Sequence, residues 1–424
     1  MVEISIVMPV YNCEDFLEES LNSVLNQSFT DFEFICVDDG STDSSLTILQ
    51  SYAKKDNRLK VFHQENKGGG DARNFALSLI KGKYLIFVDS DDILCPDALE
   101  DNYNLIKEKD VDLIFFKAIN YDNDTEEYID DSYYNLNYLY EVVGDEIFSY
   151  GDIPDDMLLR LSATPWGKFF NSDFVLRSGA QFSEGIIFHD NKFFWEMLFN
   201  SKNICFNNKT FYARRIHSSS IQQSKDKRYL NIFIALNSIV SIFKDYGNLE
   251  RYKEYLYNWK IRNLNMRYNQ IQEQYKQLFL EEFKKDLTDL VEFEGYDNLM
   301  DILNSNNIII YENVLESETY KEYDLLMENV RLNQRINRLN VEKSNLNDKI
   351  NELKDKNKKL DKKIVKLNKK VDKLKKKNDK LNEKNDKLKD KNKKLKDKNE
   401  RLDNRISEYK SRKVVRIADK LKFN

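Results

Sequence analysis

Lys83-Tyr84-Leu85-Ile86-Phe87-Val88-Asp89-Ser90-Asp91-Asp92 is the stretch whose reading decides the fold. Uncharged apolar and aromatic residues, bounded by Gly82 and an acidic cluster, read as a short strand buried on both faces, as inside a parallel sheet. The carboxylates emerge at its carboxyl end, where open α/β sheets bind ligands. Three Asp within four residues there require a compensating cation or a set of donors. Hard oxygen ligands suit Mg²⁺ or Mn²⁺, and such an ion would in turn hold a diphosphate. The alternative is an acidic loop that caps the next helix at Pro96.

Upstream, Ile4 to Met8 forms a strand that stops at Pro9, and Val10-Tyr11-Asn12 turns out of it. Asn12 is placed to cap a helix with Phe16, Leu17, Leu21, Val24 and Leu25 on its apolar face. Phe32 to Val37 is the next strand and ends in Asp38-Asp39-Gly40-Ser41-Thr42-Asp43. Gly40 allows a tight turn, and Thr42 or Asp43 caps the following helix through Ile48 and Leu49. That leaves Asp39 available to hydrogen-bond a base or ribose. A third strand, Leu59 to His63, leads through Gly68-Gly69-Gly70 to a helix with Phe75, Ala76, Leu79 and Ile80 inward. The glycines predict a flexible loop before the helix, whose N–H groups would donate to phosphate while Lys67 and Arg73 neutralise it. A mobile loop with a solvated Arg is the rival reading. A helix from Pro96 to Lys109, a strand from Leu113 to Phe116 and an exposed acidic loop from Asn120 to Asp131 follow. Such alternation predicts an α/β domain with a parallel or mixed sheet.

Pro9-Val10-Tyr11-Asn12, Asp38 to Asp43, Gly70-Asp71-Ala72-Arg73-Asn74 and Asp89-Ser90-Asp91-Asp92, in this order, resemble the motifs of family 2 inverting glycosyltransferases with the GT-A fold. The resemblance covers roughly residues 1 to 220 and implies a Rossmann-like, mixed, mostly parallel sheet. By it, Pro9, Tyr11, Asn12 and Asp39 hold the nucleoside of a sugar donor, with Asp39 on the base, and Arg73 joins the donor site. Asp89 lies on the ribose, and Asp91, Asp92 and Asp89 hold the metal that bridges the diphosphate.

The family also places an acidic general base before an aromatic-rich helix, and Gly185 to Trp195 has that form with Asp190 in the position. The common pattern has Glu before this Asp; here it is His189, which either pairs with Asp190 or only sits in the cleft. Asp190 as a plain helix cap is the alternative. Pro165 to Phe170 resembles the acceptor-side segment, with Lys168 as its functional candidate. Phe211 to Ile221 resembles the loop that closes over the donor, with Arg214 or Arg215 on the diphosphate and His217 as metal ligand or phosphate donor; a solvated basic strand end is the rival. The Gln-x-x-Arg-Trp segment of processive synthases is missing, so one or a few sugars are added.

The 424 residues carry a formal charge of −5, which divides into about −23 before residue 321 and about +18 after it. No apolar run reaches the length of a membrane span, Leu230 to Phe243 being the best, and the start lacks the pattern of a signal peptide. The expectation is a cytoplasmic protein with four reduced cysteines. Residues 226–320 read as a small helical domain after the catalytic 1–225. From Leu325 a Leu recurs every seventh residue to Leu402, faced by Ile336, Lys343, Ile350, Asn357, Ile364, Val371, Asn378, Asn385, Asn392, Asn399 and Ile406. Leu at d with β-branched or Asn residues at a predicts a parallel dimeric coiled coil over 321–408. The basic, amphipathic 409–424 suggests peripheral contact with the inner face of the cell membrane, continued coiled coil being its rival. Lys alternating with Asp and Asn, without base-reading aromatics, disfavours nucleic acid.

The expected activity is metal-dependent transfer from a UDP-sugar to a hydroxyl of a cell-surface polysaccharide or lipid-linked glycan precursor. A catalytically inactive head on a coiled-coil scaffold is the second reading, and a nucleotidyltransferase the third. Presence of Asp39, Asp89, Asp91, Asp92 and Asp190 together argues against the scaffold, which has no need of the full set.

Overall fold

The computed structural model describes residues 2–217 and 225–420. Among them one sheet contains β1 (Ile4–Val10), β2 (Phe32–Asp39), β3 (Leu59–Gln64), β4 (Tyr84–Phe87), β5 (Ile93–Leu94), β6 (Leu113–Asp122), β7 (Glu127–Ile129), β8 (Lys168–Asn171) and β9 (Ile204–Ile216). The order is β3-β2-β1-β4-β8-β6-β9-β5, with β7 beside β6. The first four strands of that order are parallel. β8 then runs antiparallel between β4 and β6, and β6 pairs with β9 in a long parallel ladder. The sheet is therefore mixed, with its longer ladders parallel, and the α/β expectation holds.

Strand periodicity explains how β4 is buried on both sides. Leu85 and Phe87 join Val7, Phe115 and Phe193 in the hydrophobic cluster on one face. Ile86 and Val88 join Ile6, Met8 and Ile114 on the other, under α1 (Glu14–Leu25) and α4 (Ala98–Lys109). The first cluster continues through the helix Asp190–Asn200 into the helices Asn231–Asp245, Leu249–Gln270, Lys276–Glu294 and Ser305–Glu316. Trp195 is the joint, its ring 5.7 Å from Phe199 and 5.0 Å from Phe243. The chain up to Glu328 is one compact unit, so no separation falls at residue 225. The second unit begins at Asn329. It is carried by a single helix, Tyr320–Lys420, uninterrupted at residue 408.

Several local expectations are corrected. Asn12 does not cap α1, whose N-cap is Cys13; Asn12 adopts a positive φ of 45°. The glycines are no loop, because α3 (Gly69–Leu77) starts within them, and it ends before Leu79 and Ile80. Phe75 is 40% exposed rather than inward. Ser44, not Thr42, is the N-cap of α2 (Ser45–Ala53), while Asp43 accepts the Ser45 N–H at 2.9 Å. The acidic loop is a hairpin, in which Asn120 pairs with Ile129 and Tyr121 with Tyr128. β-branched and aromatic residues there outweigh the acidic composition.

Three helices of the first unit are tied by a polar triad in which Lys260 and Asp286 are buried and Asn237 is exposed. Lys260 lies 2.8 Å from Asp286 and donates to Asn237 at 2.7 Å, and Asn237 donates to Asp286 at 2.9 Å. Lys260→Met is expected to destabilise this unit by about 3–5 kcal/mol, since it leaves a buried carboxylate unpaired. Lys260→Met with Asp286→Leu should recover most of that loss. Urea unfolding followed by tryptophan fluorescence measures both, because Trp166, Trp195 and Trp259 all lie in this unit.

Candidate active site

The loops at the carboxyl ends of β1, β2 and β4 build the site. At the end of β1, Asn12 Oδ1 accepts the Thr42 N–H at 2.7 Å and the Asn12 N–H donates to Ser41 Oγ at 3.1 Å. The two turns are thereby joined, and Tyr11 is left 43% exposed beside Pro9. Gly40 has φ +75°, and a Cβ there would lie 2.7 Å from the Asn66 nitrogen. Asp39 is buried, with Oδ1 accepting from Gln64 Nε2 at 2.7 Å and the Lys67 N–H at 3.0 Å, and Oδ2 from the Gly68 N–H at 2.8 Å. Both its oxygens hold the entry to α3, so a base contact would share them.

Ligand oxygens of Asp89, Asp91 and Asp92 lie within 4.8 Å of one another. Tyr212 braces them, its hydroxyl donating to Asp92 Oδ2 at 2.7 Å and accepting the Asp89 N–H at 3.0 Å. Its ring stacks on Trp166 with centroids 4.8 Å apart. The Arg215 N–H donates to Asp92 Oδ1 at 2.7 Å, and its guanidinium binds the Asp91 carbonyl, Asn123 and Glu19. His217 Nε2 sits 2.9 Å from Asp91 Oδ2. Burial, with Asp91 and Asp89 adding to it, pushes the Asp92 carboxyl well above its usual range. Burial raises Asp89 too, against the pull of Arg73. Clustered hard oxygens that favour a counter-charge fit a divalent cation such as Mg²⁺ or Mn²⁺.

Arg73 connects this cluster to Asp190. Its buried guanidinium donates to Asp89 Oδ1 at 2.5 Å, while the other terminal nitrogen stands 4.0 Å from Asp190 Oδ1 and 3.4 Å from His189 Nε2. Asp190 opens the helix Asp190–Asn200 without capping it, since His189 occupies the N-cap position and no side chain makes a cap bond. Of the two readings of His189, pairing is the one found: Nδ1 lies 2.6 Å from Asp190 Oδ1. Neither atom makes a directed hydrogen bond, so this is a close contact between the imidazole and the carboxylate. Burial opposes the Asp190 charge, but His189, Arg73 and Lys168 together hold its carboxyl below the usual range. Asp190 is thus ionised at neutral pH.

Lys168 departs from expectation. It is 3% exposed, and its ammonium donates to the carbonyls of Ser162 at 2.8 Å and Thr164 at 2.6 Å under the rings of Phe115 and Phe194. Burial pushes it down to about 7, with Asp190 pulling the other way. It supports Asp190 electrostatically rather than presenting a donor contact. Arg214 points to Asn120 at 3.3 Å and lies over Tyr134, half-buried, while Arg215 is fully engaged. Ser218 to Ile221 of the expected closing loop lie outside the described residues. Tyr212, Glu19 and Asn123 were missed by sequence reasoning. No local pattern separates them, and Glu19 is 196 residues from Arg215.

A profile described as glycosyl transferase family 2 matches residues 5–163. Glycosyltransferase GlyG of Streptococcus pneumoniae is 34% identical over 233 residues, 52% of this chain and 73% of that protein. The chain belongs to glycosyl transferase family 2. The transferase is also 29% identical over 263 residues to the putative glycosyltransferase EpsH of Bacillus subtilis, covering 60% of this chain and 72% of that one. It is 48% identical to a Bacillus spizizenii poly(ribitol-phosphate) beta-glucosyltransferase, over 27% of this chain and 19% of that protein. The crystal structure of Staphylococcus aureus TarS residues 1–349 in complex with UDP-GlcNAc shares the fold, with a TM-score of 0.60 and 20% identity over 78% of the transferase and 92% of that chain.

Arg73→Met is expected to lower stability toward the lower end of about 3–5 kcal/mol, the range for orphaning a buried ion-pair partner. The lower end applies because the Asp89 and Asp190 side chains remain 29% and 28% exposed. The deficit relative to wild type should be largest at neutral pH and shrink as pH falls through the carboxylate range, since protonated carboxyls need no counter-ion. Chemical unfolding of both proteins from pH 4 to pH 8, on the order of one unit per step, measures it.

Proposed function

We propose that the transferase moves a sugar, with inversion, from a UDP-sugar to a hydroxyl that Asp190 deprotonates, with Mg²⁺ or Mn²⁺ held by Asp89, Asp91 and Asp92 and His217 at the edge of that set. The observation that carries this reading is the Arg73 bridge, which sets one ionised carboxylate beside the acidic cluster and apart from it. When bound, such an ion supplies positive charge for the departing nucleoside diphosphate. Asp190 accepts the proton of the acceptor hydroxyl as it attacks the anomeric carbon. Holding Asp190 at the start of a helix whose apolar face is buried restricts its orientation, as a positioned base requires. Tyr11, Asn12 and Asp39 line the nucleoside side, and Lys67 and Arg214 are the cations assigned to the diphosphate.

UDP is favoured because the TarS structure contains UDP-GlcNAc. An envelope polysaccharide or its lipid-linked precursor is favoured as acceptor by the poly(ribitol-phosphate) beta-glucosyltransferase among the relatives. Among the described residues no helix is long and apolar enough to cross a membrane. Lys410, Arg412, Lys413 and Arg416, beside Val414 and Val415 at 66% and 59% exposure, support peripheral contact with an anionic surface.

Calorimetry of UDP with and without Mn²⁺ tests the donor site. Wild type should bind in a metal-dependent manner, and Asp91→Ala with Asp92→Ala should abolish it. Failure of UDP and UDP-sugars to bind wild type would overturn the proposal. Asp190→Asn should keep nucleotide affinity while UDP release in the presence of acceptor falls by about 10²- to 10⁴-fold, the usual contribution of general base catalysis.

A further inference from the structure

The helix Tyr320–Lys420 carries an apolar seam that nothing in its own unit covers: Leu332, Leu353, Leu374 and Leu402, spaced in sevens with the Leu between them, are 49%, 58%, 64% and 46% exposed. At about 1.5 Å per residue this seam runs for roughly 100 Å. A stripe of that length on an isolated helix is costly to leave in water and needs a partner with the same repeat.

The other seam position identifies the partner. It is mostly apolar in the first half, at Ile336, Ile350, Ile364 and Val371 with Lys343 and Asn357 between them, and amide in the second, at Asn378, Asn385, Asn392 and Asn399, before Ile406. A copy lying parallel and in register sets each Asn against itself, so that the two amides hydrogen-bond across the seam. An antiparallel copy sets the Asn half over the Ile and Val half, and each unpaired buried amide then costs about 1–3 kcal/mol. A shift by whole heptads creates mismatches at the junction between the halves.

The flanking charges point the same way. The residue before each of these seam positions is Lys349, Lys356, Lys363, Lys370, Lys377, Lys384, Lys391 or Lys398 along most of the rod. Antiparallel pairing opposes that row to itself. Parallel pairing opposes it to residues five further on, which are Asp361 against Lys356, Asp403 against Lys398 and the neutral Asn368 and Asn382, although Lys354, Lys375, Lys389 and Lys396 still meet Lys349, Lys370, Lys384 and Lys391. The residual like-charge pairs make association stronger as salt rises.

We propose that the segment from Leu332 to Ile406 pairs in parallel and in register with the same segment of a second copy of this chain, so that two transferase units are tethered from the same end of the helical pair. Neither the donor nor the acceptor enters this inference, and it stands or falls apart from the proposed chemistry.

The test uses the full chain. Sedimentation velocity should give a species of twice the 50.5 kDa chain mass. Leu360→Asp with Leu374→Asp and Leu388→Asp should return it to monomer without altering the near-ultraviolet spectrum of the first unit. Asn392→Cys and, separately, Asn357→Cys should each form a disulfide-linked dimer on mild oxidation, above the background of the unsubstituted chain with Cys13, Cys36 and Cys205 buried. A monomeric or trimeric wild type overturns the proposal. So does a dimer that neither cysteine cross-links, which would be antiparallel or out of register.

Discussion

One buried guanidinium holds the candidate active site together. Arg73 lies between Asp89, at the end of β4, and Asp190, at the start of a helix more than a hundred residues later. Two carboxylates brought this close would repel in a low-dielectric cleft, and the cation between them converts that repulsion into a tie between the two halves of the α/β layer. The arrangement depends on α3 approaching closely. A Cβ on Gly70 would lie 2.4 Å from the Ser183 carbonyl and 2.9 Å from His189 Cβ, so the smallest residue is required there.

The rest of the scaffold serves that geometry. β4 is buried on both faces, which fixes where the acidic cluster emerges, and Tyr212 and Arg215 from β9 hold Asp92 from the far side. The helix that presents Asp190 is anchored by Trp195 in the aromatic cluster shared with the helices beyond residue 230. Those helices thus stiffen the site through the shared apolar cluster. Lys168, enclosed beneath, adds positive potential to Asp190, while its burial, which Asp190 only partly offsets, lowers its affinity for its own proton.

Much of this was legible in the chain. The strands β1 to β4 were readable because apolar runs ended in Pro, Gly or Asp clusters, which mark strand ends by steric and solvation rules. Asp89, Asp91 and Asp92 do meet, because they are neighbours in sequence at one strand end. Asn12 was misread, since its side chain could serve a helix cap or a contact to the turn at Thr42, and only the proximity of the two turns settles which. The glycines before Asp71 were read as loop because their helix propensity is poor, yet packing against residues 183–189 outweighed that local cost. Lys168 was read as facing substrate because sequence carries no sign of which side of β8 is enclosed.

What the sequence by itself determined is the family, the α/β class, the composition of the acidic cluster and the seven-residue repeat of the last helix, all of which rest on local order along the chain. What only the tertiary structure decided is which charges face one another: Arg73 between Asp89 and Asp190, His189 against Asp190, Tyr212 on Asp92, Arg215 on Glu19. Electrostatic and hydrogen-bond partners are set by distances of a few ångströms across elements far apart in the chain, and local periodicity contains no term for those distances.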